Sequence, residues 1–167
     1  NFINTIEDTA FDANNSLLVT LVIESLYTNI PQQEGIEVIR HHLDQRVRPH
    51  RLPTHFIILL LTIALTNTFF MFAGSFYLQI KGTSMGAVFA ANFAVVYVDH
   101  IERHTILHPS NPFRSQIYLW KRYIDDVFMI WNSSADNLKS FTDWLNQNSH
   151  GLRYTTLFDK SEIAFLD

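Results

Sequence analysis

The stretch RYIDDVF at residues 122–128 decides the fold of this chain, because two carboxylates interrupt sequence that is otherwise apolar. Residues 117–123 and 127–131 are rich in β-branched and aromatic side chains, which predicts two strands joined at the acidic pair. Burying Asp125 and Asp126 between strands is costly unless a cation or hydrogen bonds compensate. Hard oxygen ligands at a turn suit Mg²⁺, which keeps waters and substrate phosphates in its shell. The alternative is a solvated turn, since Asp favours turns.

The pattern of apolar residues outward from this hairpin predicts an α+β domain in which helices pack on an antiparallel sheet. A helix that begins at Pro31 carries an apolar stripe of Ile36, Ile39, Leu43 and Val47. The further predicted elements are a buried strand at 17–24, a helix at 54–66, a hairpin of strands 69–73 and 76–80 turning at Gly74-Ser75, a helix from Ala87 to His104, a helix capped by Ser133 and Asp136 with Leu138, Phe141 and Leu145 buried, and two closing strands at 152–158 and 162–166.

The composition is that of a globular domain. A chain of 167 residues with 47% hydrophobic side chains supports a large core and excludes a disordered chain. The absence of Cys excludes structural disulfides and zinc-thiolate sites. A net charge of −4 disfavours an autonomous nucleic-acid binder, which is usually basic, but it is compatible with an acidic catalytic core.

The location expected from the sequence is intracellular, nuclear or cytoplasmic. The first residues include acidic Glu7 and Asp8 and no basic start, so no secretory signal is expected. The apolar run at 56–73 is long enough to raise the alternative of a transmembrane helix. Polar Thr62 and Asn67 within that run favour a buried helix followed by a strand, so we expect no membrane contact.

Four blocks of the sequence stand in an order and at spacings that are together more specific than any one of them. They are SLYTNIP at 25–31, KGTSMG at 81–86 followed by FAAN at 89–92, YIDD at 123–126, and HGLRY at 150–154 with IAFLD at 163–167. These blocks resemble, in turn, the segment after the first catalytic aspartate, the second motif, the third Tyr-x-Asp-Asp motif and the following segments in reverse transcriptases of Penelope-like retroelements, a telomerase-related family. The resemblance implies a reverse-transcriptase palm, with residues 1–167 a single partial domain that lacks most of the fingers and thumb.

The resemblance also implies a chemistry, which is RNA-directed DNA polymerisation. In that reaction two Mg²⁺ ions bridge a primer 3′-hydroxyl and the phosphates of an incoming deoxynucleoside triphosphate on an RNA template. Asp125 and Asp126 would be the catalytic metal ligands. Tyr27 falls at the position of the aromatic ring that excludes a 2′-hydroxyl, and the alternative is a core Tyr at a strand end.

Further contacts with template, primer and nucleotide follow from the same resemblance. Gly82, Met85 and Gly86 are expected to lie against template and nucleotide, where small residues permit close backbone approach. A plain turn before a helix is the alternative for the glycines. The basic side chains that could contact phosphate are Lys81, Arg114, Lys121, Arg122 and Arg153, with Lys81 and Arg122 favoured. Their alternative is a solvated surface.

The chain departs from the family pattern at the first metal ligand, because Val22 stands where an aspartate is expected. Tyr27, five residues later, fixes the frame. A valine offers no ligand, and Glu24 would face the same side of the strand but about 7 Å further along it. Ala91 likewise replaces a proline. We therefore expect an inactive copy of the polymerase. The alternatives are a non-catalytic nucleic-acid-binding remnant and, less favoured, a membrane-associated protein.

Overall fold

The computed structural model describes residues 15–47 and 52–166, together with Ile6 and Phe11. Its strands are β1 (Leu17–Ile23), β2 (Phe69–Phe72), β3 (Ser75–Leu78), β4 (Ile117–Tyr123), β5 (Asp126–Trp131) and β6 (Tyr154–Asp159). Its α-helices are α1 (Leu26–Asn29), α2 (Gln32–Asp44), α3 (Thr54–Thr66), α4 (Ala90–Ile101) and α5 (Ala135–Asn148). A π-helical turn at Glu102–Ile106 extends α4, and a 3-10 turn at Arg114–Gln116 precedes β4.

The central sheet has four strands in the order β4-β5-β1-β6, and each neighbouring pair is antiparallel. β1 therefore lies between two strands that come much later in the chain and pairs with both. Its alternate side chains Leu17, Val19, Leu21 and Ile23 are buried in the core. A central strand with one face in the core explains the apolar, β-branched sequence of this segment.

Helices α4 and α5 supply the helical part of the core. Their buried side chains recur at helical spacing and include Phe93, Tyr97 and Val98 of α4 and Leu138, Phe141 and Leu145 of α5. Trp131 of β5 stacks on Phe141, with ring centroids 5.0 Å apart. The predicted α+β class, an antiparallel sheet packed on helices, is confirmed.

The apolar segment 56–73 is divided between two elements. α3 ends at Thr66 and β2 begins at Phe69, as the sequence predicts. Within the described residues, no helix is both long enough and apolar enough to cross a membrane. β2 and β3 form a separate two-stranded sheet, and all of their residues are exposed.

Three predicted boundaries differ by a few residues from those in the structure, for local reasons. The β2–β3 hairpin turns at Ala73-Gly74 instead of Gly74-Ser75, because both of these residues adopt positive φ, 49° and 78°. α4 begins at Ala90 instead of Ala87, because residues 84–87 form a separate turn closed by the Ala87 amide on the Ser84 carbonyl at 3.1 Å. The cap of α5 is Ser134 instead of Ser133, and its hydroxyl accepts from the Asn137 amide at 3.2 Å.

Two other predictions are wrong. Val47 is 98% exposed beyond the end of α2, where the Arg46 side chain donates to the Leu43 carbonyl at 2.7 Å. Residues 162–166 form no strand. The Asp159 carboxylate accepts from the amides of Ser161 and Glu162, at 2.8 and 3.2 Å, which turns the chain out of the sheet. Asp167, the last residue of the sequence block at 163–167, lies outside the described residues.

The close packing of α2 on α4 yields a stability prediction at Gly35. A Cβ at this buried helical position would lie 2.4 Å from Cζ of Phe93, which is itself 2% exposed. Gly35→Ala is therefore expected to lower the free energy of unfolding by about 1–3 kcal/mol, although Ala favours helix. Urea denaturation measures the change.

Gly86→Ala is the matched control for Gly35→Ala. A Cβ at Gly86 would meet only the Ser84 hydroxyl, at 4.0 Å. This control is expected to change the free energy of unfolding by less than about 0.5 kcal/mol. Equal effects of the two substitutions would contradict the packing of α2 on α4.

Candidate functional site

The structure places position 22 directly beside the acidic turn. Val22 is the cross-strand partner of Asp126 in the β1–β5 pair, and the Ile23 amide donates to the Asp125 carbonyl at 2.9 Å. A hydrogen bond one residue beyond the pair marks Val22 and Asp126 as a non-hydrogen-bonded pair, the kind whose side chains lie closest. The residues expected to form the first and third motifs are therefore adjacent.

Asp125 lies in the turn between β4 and β5, and Asp126 is the first residue of β5. Burial and, secondarily, the neighbouring charge of Asp125 raise the pKa of Asp126 above its ordinary value. Both causes disfavour the charged form of a carboxyl group. A cation bound at the turn would offset both effects by stabilising the charged form.

The donor set fits one divalent cation better than two. Two carboxylates together with water and phosphate oxygens make a shell of the kind that Mg²⁺ accepts. Val22 is 41% exposed and contributes no oxygen. Glu24 is directed elsewhere, with its Oε2 3.6 Å from the Arg153 guanidinium. Across the described part of the chain, no three His, Cys, Asp or Glu side chains are grouped to hold a metal ion. The residues present do not fit a pair of ions bridged by a third carboxylate.

A second part of the candidate site forms where residues 82–83 pack against the segment after β1. The Gly82 amide donates to the Ile30 carbonyl at 2.9 Å, and the Thr83 amide donates to the Tyr27 carbonyl at 2.7 Å. Gly82 has φ +68°, and a Cβ there would lie 2.4 Å from the Thr28 Cα, so only glycine fits. This contact joins Gly82 to the half-buried Tyr27.

The other two residues expected near nucleotide are less constrained. Met85 is 71% exposed. Gly86 is also exposed, and a Cβ at this position would meet only the Ser84 hydroxyl, at 4.0 Å. The close approach of backbone that the sequence predicts is therefore found at Gly82 and not at Gly86.

Of the basic residues expected to contact nucleic acid, some are exposed on the surface and others are held by hydrogen bonds within the protein. Lys81 and Lys121 are exposed, and the Lys81 ammonium donates to the Asn29 side chain at 3.3 Å. Arg114 instead donates to the carbonyls of Leu107 and Ile117, at 3.1 and 3.0 Å. Arg153 is exposed beside Glu24.

Arg122 requires a correction, because its side chain is only 8% exposed and is paired with Glu102. The structure therefore leaves it little surface with which to reach a phosphate. Strand alternation accounts for the difference. Tyr123 pairs with Asp126 and shares its face of the sheet, which puts Arg122 on the opposite face, beneath the helices. No local sequence pattern points to Glu102, because it is distant from Arg122 in the chain and only the fold brings the two together.

Comparison with known proteins gives structural matches only. The sequence matches no family model, and it matches no curated protein. Telomerase from Candida albicans, solved with a TWJ fragment of telomeric RNA, superposes with a TM-score of 0.67 at 12% identity over 91% of this chain. Apo telomerase from Candida tropicalis, truncated from its C-terminal domain, superposes with a TM-score of 0.61 at 15% identity over 90% of this chain. The Sicinivirus 3Dpol RNA-dependent RNA polymerase superposes with a TM-score of 0.54 at 16% identity over 90% of this chain.

The chain has the fold of a polymerase palm. It spans 28%, 33% and 31% of these three solved chains respectively, so it corresponds to about a third of such a polymerase. At these identities the palm likeness describes the fold and leaves the activity open.

The raised pKa of Asp126 yields a prediction on stability. Because ionisation of this carboxyl disfavours the folded state, the free energy of unfolding falls as pH rises from the ordinary value of 3.8 through the raised folded-state pKa. Asp126→Asn removes the charge and is expected to stabilise the protein at pH 7. This gain should disappear below the unfolded-state pKa, where both forms are neutral. Urea denaturation between pH 3 and pH 8 measures it.

Asp143→Asn is the control for Asp126→Asn, since Asp143 is an exposed carboxylate of α5. It is expected to reproduce neither the gain at pH 7 nor its disappearance at low pH. A destabilising effect of Asp126→Asn at pH 7 would show that the turn does not disfavour the charge.

Proposed function

We propose that this chain is the palm of a reverse transcriptase of the Penelope-like retroelement type whose metal site has lost its first carboxylate. The observation that carries the proposal is the β1–β5 register, in which Val22 lies opposite Asp126. Tyr27, five residues further on, lies against Gly82 through the hydrogen bond between the Thr83 amide and the Tyr27 carbonyl. The spatial arrangement thus follows the order of the sequence blocks, and the palm fold supports it.

Residues 1–167 would form the palm portion of a longer polymerase, with fingers and thumb supplied by other segments. Its ancestral partners would be an RNA template, a DNA primer and deoxynucleoside triphosphates. Bound Mg²⁺ would activate the primer hydroxyl and stabilise charge on the transferred phosphate. Asp125 and Asp126 would hold such an ion, and the Tyr27 ring would limit the space beside the sugar.

The polymerase reaction is expected to fail in this copy. A two-ion mechanism needs a carboxylate that both ions share, and Val22 supplies none. Glu24 lies two residues beyond the required position, and its Oε2 is 3.6 Å from the Arg153 guanidinium. No step through a bridged pair of ions is therefore available to the chain as it stands, and we propose a retroelement-derived domain without polymerase activity.

Restoration of the missing carboxylate tests this proposal. Val22→Asp places a third carboxylate beside Asp126 and is expected to tighten Mn²⁺ binding at least about tenfold, because it adds both a ligand and a negative charge. Isothermal titration with Mn²⁺ measures the affinity. Extension of a primed RNA template by the full-length protein is expected only with the substitution.

Val22→Asn controls for polarity at the same position, because it adds an amide of similar size without a charge. Its Mn²⁺ affinity is expected to stay near that of the unsubstituted chain. If Val22→Asp and Val22→Asn bind Mn²⁺ equally, position 22 is not the missing metal ligand and the proposed function is wrong.

A non-catalytic role in nucleic-acid binding is the second candidate, and the exposed Lys121 favours it. Lys121 pairs with Phe128 and so lies on the sheet face that also carries Tyr123 and Asp126. A phosphate contact at Lys121 would survive the loss of the aspartate expected at position 22, because the contact needs no metal.

Lys121→Ala tests the binding role. It is expected to weaken binding to an RNA–DNA duplex and to lower the slope of log K against log salt by about 1. Fluorescence anisotropy measures that slope between about 50 and 300 mM salt, a range in which binding through phosphate contacts weakens steeply. Lys139→Ala, on the exposed side of α5, is the control. An unchanged slope for Lys121→Ala would exclude a phosphate contact at this residue.

A further inference from the structure

The acidic turn has a backbone conformation that its first residue disfavours. Ile124 and Asp125 connect β4 to β5, and Ile124 has φ +53°. A β-branched residue with positive φ is a genuine outlier, because its Cβ approaches the backbone. Such a conformation persists only where the surrounding structure holds it, and it occurs most often at functional sites.

The Arg122 side chain is one of the groups that hold this turn. Its Nη1 donates to the Ile124 carbonyl at 2.9 Å. Its Nε and Nη2 donate to the two carboxylate oxygens of Glu102, at 2.8 and 3.1 Å. The guanidinium thus binds Glu102 with both arms of its fork and uses a further N–H for the turn, a geometry that lysine cannot reproduce.

Two hydrogen bonds, one to its side chain and one to its backbone, fix the position of Glu102. The Trp120 indole N–H donates to its Oε1 at 2.7 Å. Its backbone begins the π-helical turn after α4, where the Leu107 amide donates to the Glu102 carbonyl at 2.7 Å. Short π-helical turns occur frequently at functional sites. The Glu102 and Arg122 side chains are 10% and 8% exposed, so water competes little for these bonds.

A buried ion pair is by itself a weak source of stability, because desolvation offsets much of the attraction. The bond to Ile124 lies outside the pair and joins it to the strained turn. We infer that Arg122, clamped by Glu102 and Trp120, is a positioning residue that holds the acidic turn in the conformation presenting Asp125 and Asp126. The inference deepens the proposed function and rests on it for what the turn presents these carboxylates to.

Amide hydrogen exchange in Arg122→Lys tests the positioning role without requiring activity. The Ile23 amide donates to the Asp125 carbonyl at 2.9 Å and reports on the turn. The Asn132 amide, bonded to the Gln116 carbonyl at 2.8 Å, reports on the far end of the same sheet. Lysine keeps a positive charge beside Glu102 but loses the forked geometry. Exchange at Ile23 is expected to accelerate roughly 10- to 100-fold, with Asn132 unchanged.

Arg103→Lys is the matched control, because Arg103 forms an exposed pair with Asp99 at 2.8 Å in the same helical region. It is expected to change neither amide. If Arg122→Lys does not fold, Trp120→Phe removes only the indole donor to Glu102 and is expected to accelerate exchange at Ile23 a few-fold, again without change at Asn132. Equal acceleration at both amides, or none at either, would overturn the inference, because the pair would then stabilise the sheet as a whole or not at all.

Mn²⁺ titration separates this inference from the proposed function. In the Val22→Asp background, Arg122→Lys is expected to weaken Mn²⁺ binding about tenfold if both hold. A selective change at Ile23, with no Mn²⁺ binding in any variant, would support the positioning role and refute the metal site. Mn²⁺ binding that Arg122→Lys leaves unchanged would refute the positioning role and retain the metal site.

Discussion

The pairing of β1 with β5 is the constraint on which the candidate site depends. Antiparallel register sets position 22 opposite Asp126, and a slip of one residue would move every β1 side chain to the other face. The buried alternation of Leu17, Val19, Leu21 and Ile23 makes such a slip costly. The hydrophobic core therefore fixes the geometry of the acidic site, although none of these residues has a role in chemistry.

The site that results is electrostatically incomplete. The fold brings Asp125 and Asp126 together, raises the pKa of Asp126 through burial and the charge of Asp125, and then offers an apolar Val22 on the facing strand. On the opposite side of the sheet, Arg122 pairs with the buried Glu102 and also donates to the Ile124 carbonyl of the turn. The facing strand thus offers no carboxylate beside the acidic turn, and this arrangement is the physical basis for our proposal of a polymerase palm without polymerisation.

The sequence predicts the elements of this fold well where periodicity is strong. The helix predicted at 54–66, the strand predicted at 17–24 and the strands predicted on either side of the acidic pair agree closely with the structure. The predictions fail where one hydrogen bond decides the outcome. Asp159 ends β6 by accepting from the Ser161 amide, and the strand predicted at 162–166 does not form.

Part of the candidate site is likewise predictable from the sequence, and part of it is not. The resemblance to the reverse-transcriptase motifs implies that Val22 lies beside the acidic turn, and it singles out Gly82, whose φ of +68° leaves no room for a side chain. The role of Arg122 was not predicted, because a basic residue beside a catalytic motif suggests phosphate, whereas strand alternation directs it to the other face. Its partner Glu102 is distant in sequence, and only the fold brings the two together.

The register between β1 and β5 can be measured directly, since the chain has no Cys that would interfere. In Val22→Cys/Asp126→Cys, the two sulfurs would occupy a non-hydrogen-bonded cross-strand pair with Cα atoms about 4.5 Å apart, within reach of a disulfide. The account predicts rapid formation of an intramolecular disulfide under mild oxidation, detected by mass spectrometry, and little in the diagonal control Glu24→Cys/Asp126→Cys. Bridging of the control in preference to the 22–126 pair would contradict the register, and with it the placement of Val22 beside the acidic turn.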